Sequence, residues 1–395
     1  MRLINQPRLQ KSFGQAGFNQ TGFSQTGFSQ TGFSLVELMV GLVIGLLATL
    51  VITQMFTVFE GQKRSTAGTS DAQTNGSVAL FSLQRDVQLA GFGLPLLDID
   101  NMPLKCNPIP TIDHDDNAAT PDISLAPIDI IDGGAAAGAS DTLIVRYGTA
   151  VSGGVAMQVI SRTGADVLVN NSMGCAMIAG QKNIALGING TTCVARQVVS
   201  VPAVNKVNIT PPNGVNAGGN IACLGGWNEY QYSVDATNQL TRLNTFDNTV
   251  PTPVVAGIVN MQAQYGISAA PDSNQIIWWV NATGAWASGA IGTTGLVCSN
   301  VIANRNCIKA VRVAVVARNN LLEKLPAVST ACSSITAASP TGVCAWDATS
   351  AAPINASAAP AINLTNTPNW NQYRYRVYET IIPIRNMVWS RGRLG

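Results

Sequence analysis

Histidine is almost missing from this 395-residue chain, with His114 the only one. No GxSxG surrounds a serine, so a Ser–His–Asp hydrolase has no footing. No CxxC pair and no His-rich cluster offers the ligand set of a structural zinc site. Charge is scarce as well: Asp, Glu, Lys and Arg make up 11% of residues, against about a quarter in ordinary globular domains, and the net charge is +2. That balance gives no strong electrostatic case for nucleic acid. Residues 174–182 read GCAMIAGQK, with one residue too many between the glycines and Gln before Lys, so they form no P-loop. No dinucleotide fingerprint follows a strand. These absences argue against an enzyme and against a bound cofactor.

What the chain does have is an uncharged apolar run from Leu38 to Phe59, led by Gly32-Phe33-Ser34-Leu35-Val36-Glu37. The run is about 22 residues, roughly 33 Å as a helix, enough to cross the hydrocarbon core of a bilayer. Glu37 stands near its start. An ionisable group there is expensive and marks function, with a partner to be found. Arg2, Arg8 and Lys11 precede the helix expected from Phe33 and no acidic residue does, which is expected to keep the N-terminus cytoplasmic. All eight cysteines (106, 175, 193, 223, 298, 307, 332 and 344) follow the run, as expected of an oxidising compartment across the membrane. Eight cysteines allow 105 pairings. The short loops make Cys298–Cys307 and Cys332–Cys344 the preferred pairs, with Cys175–Cys193 and Cys106–Cys223 as guesses.

The leader repeats itself, GFNQT at 17, GFSQT at 22 and 27, then GFSLV at 32, a five-residue period too short for a solenoid. Only Gly32 is followed by the apolar run and a correctly spaced glutamate. GFSLVE followed by LMVGLVIGLLATL resembles the class III signal of type IV pilins and pseudopilins. The resemblance implies cleavage by a prepilin peptidase between Gly32 and Phe33, methylation of Phe33 as the new N-terminus, and Glu37 as the assembly glutamate. Major pilins usually carry a proline in this segment and this chain has none, which puts the partial helix melting known in the family in doubt.

Helical apolar spacing continues through Val78, Leu80, Phe81, Leu83, Val87, Leu89 and Ala90 until Gly91-Phe92-Gly93-Leu94-Pro95 stops it. The Gly-, Ser- and Thr-containing stretch 61–76 is expected to bend or loosen the helix, and the amphipathic second half to pack on a sheet. Strands are expected at 142–147, 155–161, 194–201, 229–234, 255–267, 308–317 and 373–384, with irregular loops at 98–140 and 325–370. The expected fold class is therefore α+β: a type IV pilin-like long N-terminal helix on a large antiparallel, disulfide-stabilised head. The expected organisation is a removed leader at 1–32, a membrane half of the helix at 33–60, an amphipathic half at 61–93 and a periplasmic or extracellular head at 94–395.

Segments at 79, 140, 255, 308 and 373 (ALFSLQRDVQLAGFG, SDTLIVRYG, VAGIVNMQAQYGI, IKAVRVAVVARN, YRYRVYETIIPIRN) are similar to the PilW family of minor pilins. That likeness implies a role in priming type IV pilus assembly, at the pilus tip. The implied partners are other minor pilins, the major pilin, the prepilin peptidase and the inner-membrane assembly platform. The alternatives are a J-type pseudopilin of type II secretion and an adhesive or ligand-binding head on a pilin stalk. Asp113, Asp115, Asp116 and Asn117 around His114 present hard oxygen ligands suited to calcium, but lack the EF-hand glycine and distal glutamate. A solvated turn is the simpler reading. Trp278-Trp279 is expected to place one ring inward and one outward, and Arg374, Arg376 and Arg385 to form a solvated basic face.

Overall fold

The computed structural model describes residues 32–94, 104–113, 117–119, 121–150, 154–172, 174–247, 250–323, 343–346, 354–355 and 362–388. The chain divides into two compact units, the first ending at Phe59 and the second beginning at Glu60. A single helix, α1 (Leu35–Leu89), contributes to both and has no interruption and no proline. In the first unit every described residue is exposed, and the apolar window there has a mean hydropathy of 2.6.

The expected loosening at 61–76 does not occur. The small residues there serve close approach instead. Gly68, Ala72, Gly76, Ala79, Leu83 and Val87 recur every three or four residues and form the buried stripe of α1, which Ala90 continues just past its end. A Cβ on Gly76 would lie 2.2 Å from Cδ2 of Tyr378, and one on Gly68 would lie 1.4 Å from Nδ2 of Asn319. The stripe is thin where side chains from the head lean over it. It becomes bulky at Leu83 and Val87, whose complete burial contributes roughly 1.5–3 kcal/mol each.

The segment expected to be an irregular loop at 98–140 contains three short strands: β1 (Thr111–Ile112), β2 (Ile123–Ser124) and β3 (Ile128–Ile131). β3 pairs with β4 (Thr142–Gly148), the first strand visible as alternation in the sequence. Next come β5 (Ala156–Thr163), β6 (Asp166–Val169), β7 (Asn183–Asn189), β8 (Thr192–Ala203), β9 (Lys206–Thr210) and the 15-residue β10 (Asn220–Val234). The first part of β10 pairs with both β5 and β7, and the ring β10–β5–β6–β9–β8–β7 closes on itself. The result is a six-stranded antiparallel barrel, filled by Met157, Val159, Val167, Val198, Val207 and Ile221 among others. Past the bulge at Cys223–Gly225, β10 leaves the barrel and pairs with β4 on one edge and β11 (Gln239–Asn244) on the other, with β12 (Thr252–Ala256) beyond.

The expected strand at 255–267 is two strands. Gly257, at φ 75°, turns the backbone between β12 and β13 (Ile258–Ser268). β13 lies in a separate antiparallel sheet of order β14–β13–β15–β16, formed with β14 (Ile276–Val280), β15 (Ile308–Arg318) and β16 (Tyr375–Pro383); α2 (Arg385–Val388) ends the described chain. β15 is apolar on both faces because both are covered. Val311, Val313 and Val315 face the core shared with Leu83 and Val87, whereas Ala314 and Val316 face a second core with Trp346 and Tyr375. The far face of β13 carries amides that satisfy one another: Gln262 Nε2 donates to Asn260 Oδ1 at 3.0 Å, and Gln264 Nε2 to Asn281 Oδ1 at 2.6 Å.

Three disulfides join described residues. Cys298–Cys307 closes the short loop before β15. The guessed pairs Cys175–Cys193 and Cys106–Cys223 are corrected to Cys106–Cys193 and Cys175–Cys223. The reason is the barrel wall. Cys175 and Cys223 belong to its interior core, whereas Cys193 belongs to the outer core, packed with Cys106, Ile112 and Leu125. Loop length carries no information about which side of a sheet a side chain takes. Cys344 is disulfide-bonded, and its expected partner Cys332 lies outside the described residues.

Replacing Gly76 by Leu gains about 1 kcal/mol of helix propensity but drives a side chain into the Tyr378 ring. The expected net outcome is a loss of roughly 1–3 kcal/mol in head stability. Gly61→Leu, where nothing lies within 4 Å of the added carbon, should leave stability unchanged or raised. Denaturant unfolding of the detergent-solubilised chain, followed by near-UV circular dichroism, checks the pair.

Candidate functional site

Gly32, Phe33 and Ser34 precede α1 without regular structure. The carbonyl of Ser34 accepts from the Leu38 amide at 3.1 Å, the first intrahelical bond. Glu37 therefore falls in the first turn. Behind it the helix satisfies its own polar groups: Thr49, Thr53 and Thr57 hydroxyls donate to the carbonyls of Leu46, Leu50 and Gln54 at 2.8–2.9 Å. Glu37 differs, because among the described residues its carboxylate has no ion-pair partner. Its position near the positive end of the helix dipole is worth about 0.3–1 kcal/mol. Placing a carboxylate in lipid costs roughly 2.5–3.5 kcal/mol on insertion scales, and more if isolated. The dipole alone does not offset that, so a cation is required. Phe33, with 83% of its surface exposed, is the residue whose amine a cut after Gly32 would free. At the far end of the run, Glu60 and Arg64 form an exposed i,i+4 pair at 3.2 Å, where charged residues resume.

Other residues singled out from the sequence take different places. His114, Asp115 and Asp116 lie outside the described residues; Asp113 and Asn117 are described, and among the described residues no group of metal-ligating side chains forms. Trp278 and Trp279 point to opposite faces of their sheet, but both faces are covered. Trp278 packs against the main core, and Trp279 lies against the Arg312 guanidinium, 4.8 Å from its ring centroid, with Trp346 at 4.1 Å on the same cation. Burial between these rings pulls Arg312 down to about 10. Arg374 is paired with Glu323 at 2.7 Å, while Arg376 and Arg385 are exposed.

Two buried charge clusters escaped sequence reasoning. Asp86, with no exposed surface, is the polar exception in the apolar stripe of α1. It accepts from Tyr232 Oη at 2.6 Å and Arg242 Nη1 at 3.3 Å, which fixes the rotation of α1 on the β10–β11 pair. The tyrosine is pushed far up, by burial first and then by the adjacent carboxylate. The second cluster lies where the two open sheets meet. Arg146 donates to Asp129 at 2.6 Å and to Glu229, and Arg305 donates to the other Asp129 oxygen at 2.8 Å. Burial alone would lower the Arg146 pKa, but Glu229 and Asp129 outweigh it and the net direction is upward. Two arginines meet two carboxylates, so the cluster is neutral as a whole. The only sequence signal was charge inside strands that otherwise read as apolar.

Asp141, beside a cavity of about 150 Å3 that also touches Asp132 and Asn281, accepts from the amides of Gly133 and Ala263 at 3.0 and 2.8 Å. Burial outweighs these bonds and raises its pKa to about 6.

With this geometry in place, two family models match. Residues 27–53 match the prokaryotic N-terminal methylation motif, and residues 231–386 match the type IV pilus-assembly protein W family, PilW. No curated protein and no solved structure matches the chain. The first match spans Gly32, Phe33, Glu37 and most of the exposed apolar helix. The second spans the end of β10 and the whole β14–β13–β15–β16 sheet. Motif, apolar N-terminal helix and disulfide-bonded antiparallel head together fit an α+β, pilin-like fold with an N-terminal helix long and apolar enough to cross a membrane. Over residues 231–386 the chain is similar to the type IV pilus-assembly protein W family, and over residues 27–53 it carries the N-terminal methylation motif.

Arg146→Met should strand Glu229 beside Thr245 and leave Asp129 with Arg305 alone. Unfolding free energy should fall by roughly 3–5 kcal/mol in a urea titration. Asp141 gives a pH test. Its folded pKa lies above the unfolded value, so the native state holds the extra proton between about pH 4 and 6, and stability should decline as pH rises through that window, by about 1–3 kcal/mol. Asp141→Asn should flatten this decline, while losing one of the two amide bonds at every pH.

Proposed function

We propose that this chain is a minor pilin of the complex that primes type IV pilus growth and remains at the filament tip. The observation that carries the reading is a lone carboxylate, Glu37, in the first turn of an otherwise uncharged, fully exposed apolar helix. It lies four residues after the amine that cleavage at Gly32–Phe33 would release. A prepilin peptidase cuts there on the cytoplasmic face and methylates Phe33, whose amine stays cationic when singly methylated. Glu37 of one subunit then meets the Phe33 amine of its neighbour as the helix leaves the inner membrane. Pairing recovers part of the several kcal/mol that an isolated carboxylate costs in lipid, and this differential sets the docking register. The head lies in the periplasm before assembly, which agrees with its disulfides. Partners are other minor pilins, the major pilin and the inner-membrane assembly platform. The PilW match supports the pilus over a type II secretion pseudopilin. The role is assembly rather than catalysis.

Mass spectrometry of the purified protein from cells with an active prepilin peptidase should find Phe33 as the N-terminus, heavier by one methyl group. Recovery of the first 32 residues on the mature protein would overturn the reading. Glu37→Val should leave insertion and cleavage intact and lower incorporation into sheared pili by about tenfold or more. Normal incorporation would remove Glu37 from the mechanism.

A further inference from the structure

A cavity of about 470 Å3 opens in the head between the β10–β11 turn, the end of β15 and the segment leading into β16. Its volume is in the range that small-molecule sites occupy. Among the described residues its lining includes Asp235, Asn238, Arg318, Asn366, Asn369 and Tyr373.

Arg318, the last residue of β15, is only 5% exposed. Its Nε and Nη1 have no hydrogen-bond partner among the described residues, and it forms no ion pair there. Its guanidinium lies over the Tyr373 ring, 4.0 Å from the centroid. A stacked ring recovers only part of what it costs to take a guanidinium out of water, and two donors stay unmet. The other buried arginines of the head are treated differently. Arg146 and Arg305 each have carboxylate partners.

Asp235, in the same lining, is turned to its own hairpin and forms no ion pair with Arg318 among the described residues. Its Oδ1 already accepts from the amide and hydroxyl of Thr237 and from the amide of Gln239, all at 2.8–2.9 Å. The remainder of the lining is made of groups that both donate and accept, namely the three asparagine amides together with Ser140 and Thr367. Asn238 and Asn369, at φ 60° and 56°, are the two non-glycine residues with positive φ among the described residues, and both line this one cavity.

A fitting occupant carries one anionic oxygen group for Arg318 and several hydroxyls for the amides. A bare anion would leave the amides unmatched, and a neutral sugar would leave the guanidinium unmatched. We propose that this cavity binds an acidic sugar residue, its carboxylate received by Arg318 and its hydroxyls by Asn238, Asn366 and Asn369. The site is independent of Glu37 and of the assembly role, so either can fail without the other.

The test uses the full mature chain in detergent micelles, titrated with glucuronic acid and N-acetylneuraminic acid beside glucose, N-acetylglucosamine and sulfate, and read by saturation-transfer NMR and calorimetry. Acidic sugars should bind roughly tenfold or more tighter than their neutral counterparts, and should raise the unfolding temperature. Arg318→Gln should erase that preference. Asn366→Ala, which leaves the arginine in place, should weaken acidic and neutral sugars alike, so the assignment does not rest on the folding of one variant. Equal binding of acidic and neutral sugars overturns the proposal, as do binding of neither and competition by sulfate as effective as by glucuronate.

Discussion

One helix has to satisfy two solvents, and the rest of the molecule follows from how it does so. From Leu35 to Phe59 α1 presents apolar side chains in every direction with no protein over them, which is tolerable only where the surroundings are themselves apolar. From Glu60 onward the same helix is one-sided, with a narrow stripe of glycine and alanine that widens to leucine and valine. The first half selects its environment by composition, and the second selects its neighbour by shape. Neither half contains a proline, so both demands are met by one unbroken backbone hydrogen-bond ladder.

The head uses charge sparingly but places it where orientation must be specified. Valine and alanine on both faces of β15 supply burial without saying how one sheet should be rotated on the next. Asp86 on α1, and the Arg146–Asp129–Arg305–Glu229 cluster between sheets, admit only one arrangement that leaves their charges paired. Such clusters contribute less to net stability than apolar packing of equal volume would, because desolvation offsets the Coulomb gain. Their effect is to make misregistered packings costly.

Local features were legible in the sequence and non-local ones were not. The Gly32–Glu37 signal and the apolar run are contiguous, and the alternation at 142–147, 308–317 and 373–384 marked β4, β15 and β16 because each is long and regular. Barrel closure was hidden, since it depends on β10 pairing with β5 and β7 at once, and no stretch of β10 advertises two partners. The cysteine pairs at 106–193 and 175–223 were missed for a related reason: side-of-sheet information exists only after the barrel has formed. Glycines at 68 and 76 were read through their weak helix propensity, whereas burial under Asn319 and Tyr378 decided their role. Arg318 gave no signal, as its lack of a partner is a property of the folded neighbourhood.

The register between β4 and β10 has an implication for how this head can change. Gly148 and Trp227 are cross-strand neighbours, so the polypeptide departs the open sheet and rejoins it on the same rung. Everything between them, the six-stranded barrel included, is topologically a hairpin loop, and it falls outside both matched segments. Changes at the β5–β6 and β8–β9 turns leave that rung in place, whereas removing the whole module would strand Cys106 and uncover Leu94, Ile112 and Leu125. The barrel's outer turns can therefore vary in length and chemistry while the rung that carries the module, and the core beneath it, stay as they are.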